Sequence, residues 1–174
     1  MRSTLLAAIL CLFTFISFAQ SNCDSVKKEN TYLRKALDLN KPIKEVQNGD
    51  LTFSIIKVAG NAKEQAITIE VLIKNKGKNL ESFGSQVTTV SDANGNVYKL
   101  EAAYVGKEKV YSSMYEKLYR DAPLKCTYIF RGIEPETKMI KLFPYPVKYH
   151  IPGTNSFDFA EDNVEFRDFS ITWK

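Results

Sequence analysis

The sequence predicts an all-β protein, a two-sheet antiparallel β-sandwich of seven to eight short strands preceded by a short N-terminal helix. Three observations carry this. In AITIEVLIKN, residues 66–75, Ile67, Ile69, Val71 and Ile73 alternate with Thr68, Glu70, Leu72 and Lys74. That period of two sends the first set to one face of a strand, here the core face of a central strand. Short runs of the same period recur from Leu51 to the C-terminus, with turn residues between them. Only residues 23–39 show convincing helical spacing.

Residues 1–19 read as a secretory signal. Arg2 gives a basic start, Leu5 to Phe18 is apolar apart from Thr14 and Ser17, and Ser17-Phe18-Ala19 places small residues at the −3 and −1 positions of a cleavage site. The stretch is too short to span a bilayer usefully, and no later apolar run is long enough. A retained anchor, or lipid attachment at Cys23, is the competing reading. The formal charge of +4 is dispersed along the chain, which favours solubility and gives little electrostatic case for nucleic acid.

Asp24 or Ser25 can cap the helix of residues 20–40, and Asn40-Lys41-Pro42 ends it. Cys23, Val26, Asn30, Leu33 and Leu37 fall at alternating a and d positions of a heptad, with Glu29 and Arg34 at g and e. A lone Asn at an a position fixes register in parallel dimers. These five residues are therefore the candidate partner interface of a homodimer. The other reading lays Val26, Leu33 and Leu37 on the protein's own sandwich. Residues 41–50 read as a linker, and the sandwich then occupies 51–174.

Within it, Leu51, Phe53 and Ile55 share a face, and Gly60-Asn61 reads as the turn into the central strand. A strand is expected over residues 86–91. Asn94-Gly95 then predicts a type I′ hairpin, because both residues tolerate positive φ. In the next strand, 97–103, Tyr98, Leu100 and Ala102 share a face. Residues 109–120 combine helical spacing with a possible edge strand. Leu124, Cys126, Tyr128 and Phe130 share a face of the strand 124–133, and Gly132 to Thr137 is a turn. A strand at 139–143 is expected to stop at Pro144 and Pro146. A loop follows over 150–162, then a last strand over 164–173. Its phase change, between Val164 and Phe166 and the later set Phe169, Ile171 and Trp173, calls for a bulge near Arg167-Asp168.

The residues offer little chemistry. His150 is the one histidine and sits beside Pro-rich loop sequence. A Cys126–His150 dyad would need Cys126 to face solvent, which the strand phase opposes. Cys126 reads as a small buried hydrophobe, although export also permits a disulfide to Cys23. No nucleotide, phosphate or other cofactor fingerprint is present. Asp92, Asn94 and Asn96 resemble the start of a calcium loop, but Gly95 falls too early and the closing Glu is missing. Asp158, Glu161, Asp162 and Glu165 form an acidic group of no known loop spacing. The aromatic content, 11 Phe, 9 Tyr and 1 Trp, is high. Tyr104, Tyr111, Tyr115, Tyr119, Tyr145 and Tyr149 fall in or beside expected loops, where rings stack on sugars or bind proteins.

The runs IEVLIKNKGKNLESFG, VSDANGNVYKL and PLKCTYIFRGI resemble a family of bacterial exported immunoglobulin-like domains of the immunoprotective extracellular antigen type. The resemblance covers roughly residues 51–174 and implies a sandwich without agreed catalytic residues. The signal ending Phe18-Ala19-Gln20 is similar to those of Bacteroidetes exported proteins, which implies a periplasmic or cell-surface setting.

The expected function is an exported, non-catalytic module for protein interaction, with no cofactor and no metal. A carbohydrate-binding module using surface tyrosines is the alternative. A hydrolase built on two carboxylates is a third reading.

Overall fold

The structure, a computed structural model, describes residues 26–32, 41–110, 116–150, 153 and 158–174. The chain divides into two compact units, Met1–Lys41 and Pro42–Lys174. In the first, residues 26–32 are helical and exposed, and the Thr31 hydroxyl donates back to the Lys27 carbonyl at 2.8 Å. Val26 and Asn30 lie in this helix. Cys23, Leu33 and Leu37 lie outside the described residues, as does the expected signal.

The second unit holds twelve described strands: β1 (Lys44–Asn48), β2 (Leu51–Asn61), β3 (Ala66–Asn75), β4 (Leu80–Ser85), β5 (Thr89–Asp92), β6 (Val97–Val105), β7 (Glu108–Val110), β8 (Glu116–Leu118), β9 (Leu124–Arg131), β10 (Met139–His150), β11 (Phe159–Ser170) and β12 (Thr172–Trp173). They form an antiparallel β-sandwich, as the sequence predicts. One sheet runs β1-β2-β3-β9-β6-β7, with β12 added parallel to the end of β2. The other is built on β10, which pairs with β11 along one edge and with β5 and then β4 along the other; β8 lies beyond β4. β6 serves both sheets. Val97 to Lys99 pair with β5, whereas Leu100 to Val105 pair with β9.

β3 is central, with β2 and β9 on its two sides. Ile67, Ile69, Val71 and Ile73 are fully buried, as the alternation requires. Full burial of such a side chain contributes about 1.5–3 kcal/mol. Glu70, on the outer face, is held by Lys57 at 2.8 Å and Lys125 at 3.3 Å, one from each neighbouring strand.

Several local expectations are corrected. Residues 41–50 are not a linker, because β1 pairs with β2 through the two-residue loop Gly49-Asp50. Gly49 has φ +56°, which suits a type II′ hairpin, and Asn48-Gly49-Asp50 was the signal for it. Four very short or exposed strands, β1, β7, β8 and β12, raise the count above eight, since so few residues show no period. Gly60-Asn61 does not turn the chain but continues β2 to its end. The strand expected over 86–91 is β5, which starts at Thr89; residues up to Ser85 belong to β4. The ambiguous stretch holds β7 and β8, and residues 111–115 between them lie outside the described set.

The Asn94-Gly95 hairpin is real but is not type I′. Ala93 to Gly95 form a three-residue loop in which Gly95 N donates to Asp92 O at 3.3 Å and Asp92 N to Asn96 O at 3.0 Å. Only Gly95, at φ +86°, takes positive φ there, as in a type I turn closed by a left-handed residue.

β10 runs through Pro144 and Pro146 instead of stopping at them. Gln86 N donates to Pro146 O at 2.9 Å, so the edge of β10 that lacks these two N–H groups faces the link between β4 and β5. β10 pairs with β5 up to Leu142 and with β4 from Val147. The prolines therefore fall where no ladder donor is needed.

The phase change in the last strand is also resolved. Ile140 pairs with Phe169 and Phe143 with Phe166 in one unbroken register. Both strands switch faces together, with Asp168 at φ +55°, instead of one strand bulging against the other. Strand β11 also starts at Phe159, so the expected loop is shorter than 150–162.

The C-terminus packs on Gly60. Trp173 Nε1 donates to Thr137 O at 2.7 Å, and the indole lies where a Gly60 side chain would project; a Cβ there would stand 2.2 Å from the ring. Gly60→Ala is therefore expected to displace the indole and cost about 1–3 kcal/mol. Urea melts read by the emission of Trp173, the chain's one tryptophan, check this. Unchanged stability with unshifted emission would show the contact to be unimportant.

Candidate functional site

The polar feature of the core begins with alternation in two strands. Cys126, Tyr128 and Phe130 point inward from β9, and Phe143, Tyr145 and Val147 from β10. The Tyr128 and Tyr145 hydroxyls meet between the sheets at 2.7 Å, and the Tyr128 hydroxyl also lies 2.6 Å from that of Ser85 at the end of β4. Cys126 is buried beside them on the same face of β9. The two tyrosine rings pack edge to face at 5.6 Å, and Phe143 contacts both. Among the described residues no buried side-chain N or O lacks a partner. Burial pushes the Cys126 thiol up to about 11 and both phenols well above their ordinary value. All stay protonated near neutrality and act there as hydrogen-bonding groups, not as nucleophiles or bases.

Two members of this cluster, Ser85 and Tyr128, line a cleft of about 690 Å³. The link Gln86 to Thr88 joins β4 to β5 within the second sheet and is tied at both ends: Gln86 N donates to Pro146 O at 2.9 Å, and Leu100 N donates to Thr88 O at 2.7 Å. Along β6, β5 pairs up to Lys99 and β7 only from Ala103. The interval without a ladder partner on that edge opens the cleft. Val87, Leu100, Ala102, Ala103 and Val110 line it, Ser85 and Tyr128 form its polar floor, and Lys99, Glu101 and Lys109 contribute charge. Glu101 is paired with Arg131.

The residues singled out in the sequence are placed as follows. Val26 and Asn30 share the exposed helix; nothing is described of Cys23, Leu33 and Leu37. The Tyr-rich set does not form one platform. Tyr145 is a core residue, not a loop residue, and this corrects its reading as a surface ring. Tyr149 donates to Asp162 at 2.8 Å, Tyr104 is half-buried, and Tyr119 is 54% exposed. Tyr111 and Tyr115 lie outside the described residues. Of the acidic group, Glu161 pairs with Lys148, Glu165 with Arg167 and Asp162 with Tyr149. His150 ends β10 with its ring against Phe159, whereas Cys126 is buried in β9.

Asp92 closes its own hairpin. Its carboxylate accepts from the Asn94 and Asn96 backbone N–H groups, the Asn96 side-chain amide and the Tyr98 hydroxyl, each at 2.9 Å. The likeness to a calcium loop thus reflects loop donors filling the acceptor sites. Burial alone would raise its pKa, but the donors from Asn96, Tyr98 and Asn94 hold it below the ordinary value. The carboxylates of Glu70, Asp121 and Asp168 are also held low, the opposite of what a general acid requires.

The cleft and the phenol-thiol cluster were not visible as a site in the sequence. Ser85, Tyr128 and Cys126 carried no shared spacing, and only the pairing of sheets brings them together.

No family model matches the chain, and no curated protein matches it. Solved structures that resemble it include the GAE domain of yeast GGA1, at 10% identity over 71% of this chain and 96% of that chain with a TM-score of 0.41. The self-complemented fimbrial subunit MyfA of Yersinia enterocolitica is similar at 9% identity, 70% and 98% coverage and a TM-score of 0.41. A β-sandwich protein of Clostridium difficile is similar at 10% identity, 66% and 88% coverage and a TM-score of 0.31. Likeness this distant carries no argument about function. The class stands on the strands themselves, as an antiparallel β-sandwich with a cleft at the split edge of β6.

Two outcomes follow from the core and the hairpin. Iodoacetamide at pH 8 is expected to leave Cys126 unmodified in the folded protein and to label it in denaturant without reductant, read by peptide mass spectrometry. Labelling of the folded state would contradict the burial, and failure in denaturant would reveal a disulfide. Asp92→Ala is expected to cost about 1–3 kcal/mol at pH 7. A carboxylate whose folded pKa is depressed stabilises above its unfolded value of about 3.9 and loses that contribution as pH falls through the lower folded value. The difference in stability from the unsubstituted protein should therefore shrink below about pH 4; a difference unchanged by acid would remove the carboxylate from the account.

Proposed function

We propose that the protein is an exported, non-catalytic β-sandwich module that binds protein, with its N-terminal helix pairing two copies. The observation that supports it best is the exposure of an apolar seam residue on the helix of residues 26–32: Val26 is 57% exposed. Val26 and Asn30 stand at successive d and a positions in the sequence, where an apolar residue and a register-setting amide suit a parallel helix pair. Cys23, Leu33 and Leu37 extend the same seam in sequence. The basic and apolar leader, and the resemblance to exported immunoglobulin-like antigens, support a setting in the periplasm, at the cell surface or outside the cell.

The non-catalytic reading draws support from the core phenols and thiol, which stay protonated, and from the depressed carboxylates. The carbohydrate alternative loses one of its six tyrosines with the burial of Tyr145.

Light scattering after size exclusion tests the pairing, using residues 20–174 and 40–174. A dimer that becomes monomeric on removal of residues 20–39, and on Val26→Asp in the longer chain, is the expected result. Monomers throughout would remove helix pairing. A pull-down from the native envelope, with the intact protein as bait, tests for a further protein partner.

A further inference from the structure

We propose that the cleft between the Gln86–Thr88 link, β6 and β7 binds a small free carboxylic acid with an apolar body. Its volume, about 690 Å³, lies in the range of small-molecule sites, which are mostly apolar with a few placed polar groups. The lining fits that description. Val87, Leu100, Ala102, Ala103 and Val110 offer apolar contact, and two hydroxyls form the floor.

Charge selects the head group. The lining carries two lysines, Lys99 and Lys109, against one glutamate. That glutamate is already engaged by Arg131 and Lys109 has a partner of its own, so the charge left for a ligand is that of Lys99. An anion at the rim is attracted, and a cation of the same shape meets like charge. A sugar, with hydroxyls all round, would bury them against the apolar walls with few partners.

The floor is adaptable. Ser85 Oγ has one hydrogen and two lone pairs and is bonded to the Tyr128 hydroxyl. Since every member of the Ser85–Tyr128–Tyr145 chain is a hydroxyl, the chain can reverse direction, and Ser85 can then donate to or accept from a ligand atom. The walls are pre-formed strands, and the link above them is tied down at both ends. Binding therefore needs little reorganisation. This site is independent of helix pairing.

The test is isothermal titration of the intact protein with decanoate, decanol and decyltrimethylammonium, each below its micellar concentration. A peptide with a free C-terminal Leu is included as the other source of an apolar carboxylate. Decanoate is expected to bind one to one, at least tenfold tighter than the cation and tighter than the peptide. Lys99→Glu should weaken it at least tenfold. Thr88→Trp, at an exposed lining position whose backbone bond is retained, should abolish binding by filling the cleft. Should a variant fail to fold, methyl shifts of Val87, Ala102 and Ala103 on addition of decanoate to the unsubstituted protein give the same answer. No binding of decanoate, equal binding of the cation, unshifted methyls, or binding untouched by both substitutions overturns the proposal. Tighter binding of the peptide overturns it in favour of a protein chain end.

Discussion

A hydrogen bond between two phenols holds the centre of this sandwich. Tyr128 reaches from β9 and Tyr145 from β10, one strand in each sheet, and their hydroxyls meet where water does not. A buried hydroxyl left without a partner costs about 1–3 kcal/mol. Each tyrosine therefore makes the other's position a condition of its own burial. The surrounding rings interlock at centroid distances of 5.6 to 6.1 Å, a geometry that suits the ring quadrupole. Apolar burial supplies most of the driving force but is tolerant of sliding. The phenol pair, with Ser85 attached, sets the register of one sheet over the other.

That register has consequences at the edge. With Tyr128 held toward β10, Ser85 is drawn in at the end of β4, and residues 86–88 cross from the edge of β10 to β6 before β5 begins. The crossing coincides with two interruptions in pairing. On β10, Pro144 and Pro146 have no N–H to offer between the two partner strands. On β6, a shift between Leu100 and Ala102 separates the part that pairs with β5 from the part that pairs fully with β9 and then β7. Each interruption is tolerated because the other relieves it: the link leaves β10 where the prolines sit and meets β6 at Leu100. The cleft is the space this exchange leaves behind. Its polar floor is the same network that joins the sheets.

Legibility in the sequence followed burial. β3 was readable because both of its edges are paired and one face is wholly buried, so its alternation is complete. β9 was readable for the same reason, including the inward placement of Cys126. β1 was missed because Val46 is its one apolar residue, half-buried at the edge, and Lys44, Glu45, Gln47 and Asn48 could equally belong to a linker. β10 was cut short because two prolines normally end a strand, and only the arrangement of its partners shows why they do not. The doubled face switch at Ile140 to Phe143 and Phe166 to Phe169 looked like a bulge in β11, since the compensating switch lies in a different strand. Tyr145 was misread with it: between two prolines it resembled a loop ring.

What the sequence determined alone was everything that repeats at short range. The two-residue period specified strands, and Asn94-Gly95 specified a hairpin. What only the tertiary structure decided was which strands exchange partners, and with it the phenol network and the cleft. The physical reason is that a strand's pattern records which of its faces is buried but not which neighbour buries it. Ser85, Tyr128 and Tyr145 become one network only when two sheets are laid together.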